Sequence, residues 1–228
     1  MKRIGIIGAM DIEIELLLGR IELQRKEKIA GFVFHLGKLC GKDVIITSCG
    51  VGKVNAASCT QILISKLGVD GIINTGIAGG LHEDVEVCDV VISRDVTHHD
   101  VRKKQMKNWF PHQEYFEGDR KLIEAAEKAF ENSDVINSSC HLGRIVSGEC
   151  FVDDTQLKEQ IIEGYSPHCV EMEGSAIGHV AHINDVPFVV IRSISDKADE
   201  EASVSTKEFE KITAQNSAAV VMNMMKIL

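Results

Sequence analysis

Polar residues follow the apolar runs of this sequence at several separate places. The segments that contain them are 8–13, 76–80, 147–151, 171–173 and 192–196. Some carry carboxylates that can serve acid–base chemistry, and others carry glycines that allow close approach to the backbone. If the apolar runs are strands of one sheet, these segments meet where α/β proteins bind ligands. The sequence therefore predicts a polar site built from several loops, which is typical of enzymes.

The elements that must position these residues alternate along the chain. Predicted strands span 3–8, 32–39, 43–49, 71–75, 89–93, 141–147, 170–172 and 187–193. Predicted helices span 11–26, 54–67, 119–130 and 174–184, with one opened by a capping box at Asp153-x-x-Gln156 and a C-terminal one opened by Ser205-x-x-Glu208. The two runs on either side of residues 40–42 are predicted to form a hairpin.

This alternation predicts an α/β fold in which helices cover both faces of the sheet. The hairpin makes the sheet mixed rather than purely parallel. The chain has only three prolines, no internal repeat and no Pro/Ser-rich linker. We therefore expect a single domain over residues 1–228.

Charge and composition restrict the class of partner. The 228 residues carry 25 Lys plus Arg and 34 Asp plus Glu, a net charge of −9. Nucleic acid and anionic membranes require a basic surface, so neither is expected as the main partner. No apolar run approaches 18 residues, and the short run 4–10 lacks a small-residue cleavage site, so we expect neither a membrane span nor export.

The seven cysteines indicate a reducing compartment. Their number is odd and no pair has C-x-x-C spacing, which argues against a disulfide framework and against a thiolate zinc site. We expect mostly buried free thiols in a cytoplasmic protein. His179-x-x-His182 has helical spacing suited to a metal, but without an evident third ligand a structural role is favoured. The basic run at 102–104 is interpreted as a solvated loop.

An ordered set of motifs gives a more specific interpretation. The motifs are GIIGAMDIEIELL at 5–17, GVGKVNAA at 50–57, IINTGIAGGL at 72–81, VSGECF at 146–151, VEMEGSAIGHVA at 170–181 and PFVVIRSISDKAD at 187–199. Together they resemble the nucleoside phosphorylase superfamily, and closely its hydrolytic branch, the 5′-methylthioadenosine/S-adenosylhomocysteine nucleosidases. The resemblance covers essentially the whole chain. It implies a three-layer α/β/α sandwich with a central mixed sheet, a cytosolic homodimer, and no metal or organic cofactor.

The reaction implied by this resemblance is hydrolysis of the N-glycosidic bond of an adenine nucleoside. Asp196 is expected to protonate N7 of the leaving adenine, with Ser195 orienting it; the alternative is that the pair only caps a turn. Glu13 is expected to hold and activate the attacking water; the alternative is a carboxylate that stabilises a helix N-terminus.

The same resemblance implies the substrate contacts around the sugar. Glu173 is expected to accept hydrogen bonds from the ribose hydroxyls, and Met172 to pack against the sugar. Because Glu171 and Glu173 alternate along an extended segment, we expect only Glu173 to face the site. Arg192 is expected to help place the water and Glu13, with a purely structural ion pair as the alternative.

The remaining implied contacts concern the base. Phe151 is expected to stack on adenine, although a core position is its ordinary role, and the backbone of Val152 is expected to bind the edge of the base. Ala9 and Gly79 are expected to line the pocket.

The sequence departs from the family pattern at several positions. Ile77 stands where many members have Ser, and Thr206 replaces an aromatic residue that often covers the site. Glu149 stands where Asp is usual, and its longer side chain is expected to shift its support of the base-binding loop. Segment 101–117 aligns poorly and holds four of the eleven Phe, Trp and Tyr residues, so we interpret it as a lid or an interface.

Three alternative functions stay open. A phosphorylase of the same superfamily would need cationic groups around its phosphate, whereas segment 8–13 offers carboxylates. A nucleosidase for another adenine nucleoside, such as 5′-deoxyadenosine or aminofutalosine, depends on the segment 101–117. A non-catalytic nucleoside-binding protein would be expected to lack part of the set Glu13, Glu173 and Asp196, which is intact.

Overall fold

The computed structural model describes residues 1–133, 135, 138–198 and 207–228. The strands are β1 (Arg3–Gly8), β2 (Glu22–Ile29), β3 (Phe32–Leu39), β4 (Lys42–Ser48), β5 (Gly71–Gly80), β6 (Val90–His98), β7 (Phe116–Glu117), β8 (Cys140–Ser147), β9 (Cys169–Glu171) and β10 (Phe188–Asp196). The helices are α1 (Asp11–Leu18), α2 (Lys53–Ser65), α3 (Lys103–Asn108), α4 (Arg120–Glu131), α5 (Thr155–Tyr165), α6 (Gly174–Ile183) and α7 (Lys207–Ile227).

All of these strands belong to one mixed sheet. The antiparallel strands β2, β3 and β4 form one side of the sheet. Next to them, β1 lies parallel between β4 and β5. β5 pairs in parallel with β10 and, at its last residues, antiparallel with β9. β10 then pairs with β6, β6 with β8 and β8 with β9, so that these five strands close on themselves. The closure brings the ends of β5, β9 and β10 next to one another.

Helices cover both faces of the sheet, which confirms the predicted three-layer α/β/α architecture. One apolar cluster packs α2 and α6 against the sheet through residues such as Cys59, Leu63 and Ile177. A second packs α1, α4 and α7 against the opposite face through residues such as Leu17 and Leu122. Since the central strands are buried on both sides, their near-continuous apolar sequences are explained.

The predicted helix over 11–26 is wrong in its second half. The helix ends at Leu18 and Gly19 caps it, after which β2 runs along the edge of the sheet. β2 is almost fully exposed and charged, with the sequence ELQRKEKI, and within the described residues it pairs with β3 alone. A charged edge strand of this kind discourages pairing with other chains. Pairing with β3 therefore overrides the helical propensity of its Glu and Lys residues.

Other predicted boundaries shift by a few residues. β5, β6 and β10 continue to Gly80, His98 and Asp196, because their neighbours in the closed sheet supply partners beyond the apolar runs. The cap of α5 is Asp154, which accepts a hydrogen bond from the Leu157 N–H at 2.7 Å, rather than Asp153. The predicted cap at Ser205 and the departure at Thr206 lie outside the described residues.

Segment 101–117 has regular structure of its own. Its basic run begins the short helix α3 instead of the predicted loop, and Lys103 packs over the ring of Tyr165. Phe116 is fully buried on β7, whereas Trp109 and Phe110 are 67% and 74% exposed. The segment thus splits into a part anchored in the core and an exposed aromatic tip.

The seven cysteines are free thiols, of which Cys49, Cys59 and Cys169 are buried and Cys40 and Cys150 are exposed. The expectation of mostly buried thiols is therefore met only in part. No helix in the described ranges combines the length and apolar character that crossing a lipid bilayer requires.

The contact between α6 and the sheet predicts a cost for any side chain at Gly178. A Cβ there would lie 2.6 Å from Val96 and 2.7 Å from Phe188. We expect Gly178→Ala to lower the free energy of unfolding by about 1–3 kcal/mol, although Ala favours helices. Urea denaturation would measure the change.

The matched control is Gly164→Ala in α5, where a Cβ would meet nothing within 4 Å. This variant should be as stable as the parent or slightly more stable. Equal stability of the two alanine variants would contradict the tight packing of α6.

Candidate active site

A cavity of about 220 Å³ opens at the carboxyl ends of β1, β5, β9 and β10. Every site residue expected from the sequence lines it: Ala9, Glu13, Gly79, Phe151, Val152, Met172, Glu173, Arg192, Ser195 and Asp196. Ligands of α/β proteins commonly bind beyond the carboxyl ends of the strands. The closed arrangement of five strands brings together segments that lie up to 187 residues apart, from Ala9 to Asp196.

Glu13 is fixed by backbone donors at the bottom of the cavity. It lies in the first turn of α1, and one carboxylate oxygen accepts the N–H groups of Ala9 at 2.6 Å and Met10 at 2.9 Å. The other oxygen accepts the Ile77 N–H at 3.0 Å. The side chain is 1% exposed. Burial raises the pKa of Glu13 above its ordinary value, although Arg192 and the backbone donors oppose the shift.

Arg192 is a fully buried guanidinium among three carboxylates. Its Nη2 donates to Asn74 Oδ1 at 2.7 Å and to Glu171, and lies 3.4 Å from Glu173 Oε2. Its Nη1 lies 3.7 Å from Glu13 Oε1. Burial opposes the charge, but the carboxylates outweigh it and raise the pKa of Arg192. A buried cation requires such partners.

Glu173 closes the acidic side of the cavity. It is the N-cap residue of α6, and its Oε1 accepts the Gly52 N–H at 2.9 Å from the turn before α2. Burial and the neighbouring charge of Glu171 raise the pKa of Glu173 to about 7, against the opposing effects of Arg192 and the Gly52 N–H. The ionised form of Glu173 is therefore less favourable than that of an ordinary glutamate.

Glu171 also lines the cavity, which corrects the expectation that only Glu173 faces the site. The expectation assumed an extended chain through both residues. β9 ends at Glu171, and Glu173 has φ −135° and ψ −41° where the chain turns into α6. The alternation of a strand is lost at this turn, so both carboxylates reach Arg192.

Asp196 is half-buried at the end of β10. Its Oδ2 accepts the Ser195 hydroxyl at 2.7 Å, and its Oδ1 accepts the Ala198 N–H at 2.8 Å. Ser195 therefore hydrogen-bonds the carboxyl group that follows it in the sequence. Gly79 faces this group, and a Cβ there would lie 2.9 Å from Asp196 Oδ1, so the close approach requires glycine.

Three apolar side chains line part of the cavity. Phe151 is 55% exposed, Val152 is buried and Met172 is half-buried. Glu149, one of the departures from the family pattern, accepts the Lys53 N–H at 2.9 Å and so supports the start of α2. Ile77 contributes its backbone N–H to Glu13, an interaction that any residue at this position can make.

Asn74 and Gly52 support the site from outside the lining of the cavity, and neither was expected from the sequence. Asn74 binds Arg192 and also donates to the Ile7 carbonyl at 2.8 Å. The feature of the sequence that could have identified Asn74 is its position as a polar residue inside the apolar run 71–75. The N–H of Gly52 donates to Glu173, and in the sequence only the motif GVGKVNAA at 50–57 draws attention to this residue.

His179 and His182 do not form a metal site in the structure. His179 stacks on Phe116 with ring centroids 4.5 Å apart, and its Nδ1 lies 3.4 Å from His98 Nε2. Within the described ranges, no group of three or more His, Cys, Asp or Glu side chains is arranged to hold a metal ion.

Comparison with known proteins identifies the family. A family profile described as the phosphorylase superfamily matches residues 3–226. The chain belongs to the phosphorylase superfamily. A curated member from Tolumonas auensis, 5′-methylthioadenosine/S-adenosylhomocysteine nucleosidase, is 40% identical over 231 residues, which cover 99% of this chain and 100% of that protein.

Solved structures of the superfamily agree with this fold. The crystal structure of 5′-methylthioadenosine/S-adenosylhomocysteine nucleosidase from Neisseria meningitidis, in complex with methylthio-immucillin-A, is 38% identical with a TM-score of 0.94, and both chains are covered completely. The futalosine hydrolase of Helicobacter pylori is 31% identical with a TM-score of 0.90, covering 100% of this chain and 98% of that one.

Because Arg192 is buried among carboxylates, its replacement is expected to destabilise the protein by an amount that depends on pH. Arg192→Met keeps much of the volume but leaves three buried carboxylates without a counter-charge. We expect the free energy of unfolding to fall by about 3–5 kcal/mol near neutral pH. A carboxyl group with a raised folded-state pKa destabilises the fold as pH rises towards that pKa, which is about 7 for Glu173.

The decrease in the free energy of unfolding caused by Arg192→Met should therefore be smaller at pH 5 than at pH 8. Urea denaturation at both pH values measures it. The control is Arg120→Met, which breaks a surface pair with Glu124 and should change stability little. A loss that is the same at both pH values would contradict the charge argument.

Proposed function

We propose that this chain hydrolyses the N-glycosidic bond of 5′-methylthioadenosine and S-adenosylhomocysteine, releasing adenine and the 5-thioribose product. The observation that carries the proposal is one cavity lined by Glu13, Glu173 and Asp196, with Arg192 buried among carboxylates. Relatives that are 38–40% identical over 99% of the chain bear the name of this nucleosidase.

Glu13 activates the attacking water. Three backbone N–H groups hold its carboxylate in one orientation, and its raised pKa makes it a better proton acceptor than an ordinary glutamate. The water oxygen bonds to the anomeric carbon of the ribose while its proton passes to Glu13. Arg192, 3.7 Å from Glu13, places the carboxylate and the water.

Asp196 supplies a proton to the leaving base. It protonates N7 of adenine while the bond between the sugar and the base breaks, so that adenine leaves as a neutral molecule. The hydrogen bond from Ser195 fixes the direction in which the carboxyl group points. An acid positioned in this way lowers the barrier because adenine is otherwise a poor leaving group.

The other lining residues bind the nucleoside. Glu173 accepts hydrogen bonds from the ribose hydroxyls, and Met172 packs against the sugar. Phe151 stacks on adenine, and the backbone of Val152 binds its edge. Ala9 and Gly79 line the cavity where the ligand approaches the backbone.

The charges of the cavity favour water over phosphate. Among its described lining residues, Arg192 is the only Lys or Arg, and it already contacts Glu13, Glu171 and Glu173. A phosphate ion next to Glu13 would be repelled and would find no free cation. This argues against a phosphorylase. The complete set Glu13, Glu173 and Asp196 argues against a non-catalytic binding protein.

A nucleosidase for aminofutalosine or 5′-deoxyadenosine is the remaining alternative. The Helicobacter pylori futalosine hydrolase has nearly the same fold at lower identity, so the fold alone does not separate the two substrates. Adenine release from 5′-methylthioadenosine, S-adenosylhomocysteine, adenosine, 5′-deoxyadenosine and aminofutalosine, compared by kcat/KM, tests the preference.

The proposal extends to assembly and location. We infer one domain over residues 1–228, without a cofactor, in the cytoplasm, with no nucleic acid or membrane as partner. We also infer a homodimer whose interface includes part of 101–117. The exposed side chains of Val54, Trp109 and Phe110 support an interface. Sedimentation at micromolar concentration tests this assembly, and a monomer would exclude it.

Asp196→Asn should remove the acid while keeping the shape of the side chain. We expect kcat for 5′-methylthioadenosine to fall by ~10²–10⁴-fold, the usual contribution of general acid catalysis, while binding of an adenine nucleoside survives. Adenine release and calorimetric titration measure the two effects. The control is Asp119→Asn, which changes the cap of α4 and should leave kcat unchanged.

Near-native turnover in folded Asp196→Asn would exclude the proposed acid. Glu13→Gln should also abolish turnover, and the losses in the double variant should be far from additive because both groups act on one transition state.

Turnover should be independent of phosphate. Since the cavity holds no free cation among its described residues, kcat for 5′-methylthioadenosine should be the same with and without added phosphate, and the sugar product should carry no phosphate. Product analysis by mass spectrometry measures this. A 5-methylthioribose 1-phosphate product, or a rate that rises with phosphate, would instead support the phosphorylase.

A further inference from the structure

Glu171 is a buried carboxylate to which the proposed reaction assigns no role. Its side chain is 2% exposed, and its Oε2 accepts the backbone N–H groups of Glu173 at 3.0 Å and Gly174 at 2.7 Å as well as Arg192 Nη2. Its Oε1 accepts the Ser147 hydroxyl. Both oxygens thus have hydrogen-bond partners, which come from the start of α6, from β10 and from β8.

These contacts connect Glu171 with Glu173, which is proposed to bind the ribose, and with Arg192, which lies beside Glu13. By accepting the first N–H groups of α6, Glu171 fixes the turn from which the side chain of Glu173 enters the cavity. By pairing with Arg192 it fixes the guanidinium that lies beside Glu13. The backbone at the start of α6 packs tightly against Glu171, since a Cβ on Gly174 would lie 3.2 Å from both of its carboxylate oxygens.

Ser147 is held in turn by a chain of hydrogen bonds that leads away from the cavity. Its Oγ accepts the Ser175 N–H at 2.7 Å, so that its own hydroxyl proton is directed at Glu171. Ser175 Oγ lies 2.7 Å from His98 Nδ1, and His98 Nε2 lies 3.4 Å from His179 Nδ1. Burial lowers the pKa of His98 to about 3, so the ring is neutral.

We propose that Glu171 is a positioning residue for this reaction, and that Ser147 orients it. Glu171 acts through Glu173 and Arg192 rather than by touching the reacting atoms. The inference rests on the proposed nucleosidase function.

The first test is the pH profile of Glu171→Gln. The negative charge of Glu171 contributes to the raised pKa of Glu173, and in the variant Arg192 would no longer share its charge between Glu171 and Glu173. The acid limb of the kcat/KM profile should therefore move to lower pH by about one unit, with kcat at its plateau reduced at least ~10-fold. An acid limb that stays at the wild-type pH would overturn the proposal.

The second test separates positioning from a general loss of packing. Ser147→Ala should reduce kcat/KM by ~10-fold, because it removes a hydrogen bond to a charged group. Ser217→Ala is the control, since Ser217 is equally buried and loses a hydroxyl contact to Thr75 on the other face of the sheet. A kcat/KM of Ser147→Ala within twofold of this control would overturn the role of Ser147.

A double variant shows whether Ser147 acts through Glu171. In the Glu171→Gln background, Ser147→Ala should cause little further loss, because the acceptor that it orients is already gone. Additive losses would show that Ser147 acts independently.

A measurement without turnover distinguishes this inference from the proposed function. If the wild-type chain released no adenine from any of the nucleosides, the proposed function would fail. Titration of the ¹³C-labelled glutamate carboxyl groups by NMR, with the Glu173 signal assigned by its loss in Glu173→Gln, would still report the pKa of Glu173. A lower pKa in Glu171→Gln supports the coupling, and an unchanged one overturns it.

Discussion

One buried guanidinium constrains the geometry of the whole cavity. Arg192 is 1% exposed, and it is surrounded by Glu13, Glu171 and Glu173. A lone charge at this depth would be strongly unfavourable, and three carboxylates without it would be worse. The four groups are therefore stable only together. The four side chains must be held within a few ångströms of one another, and the surrounding strands hold them at these distances.

The sheet meets the constraint by giving each group a rigid support. Arg192 projects from β10, which pairs with β5 in register, so that Arg192 lies opposite Gly76. A side chain at Gly76 would collide with both Arg192 and Glu13, and its absence makes their approach possible. Asn74, two residues earlier on the same strand, binds the other side of the guanidinium. The substrate-facing edge of the site thus rests on β5 and β10, in the centre of the sheet.

Local sequence patterns predict where the site forms, whereas the roles of its individual residues follow from the resemblance to the nucleosidase family. Apolar runs mark the buried strands, and the polar residues that follow them converge at one edge. The limits of prediction arise where long-range pairing decides. The charged segment 22–29 is a strand only because β3 lies beside it. Glu171 faces the cavity only because the chain turns between β9 and α6, and strand periodicity contains no information about that turn.

The position of β10 has a consequence for synthesis of the protein on the ribosome. This strand begins at Phe188, yet it lies between β5 and β6 in the finished sheet. Until it emerges, those two strands have open edges and the three glutamates have no counter-ion, so burial of their charged forms is unfavourable. The first four-fifths of the chain therefore cannot complete its core during translation. β10, the last strand among the described residues, is the one that allows the cavity to close, and a chain truncated before it exposes edges that favour aggregation.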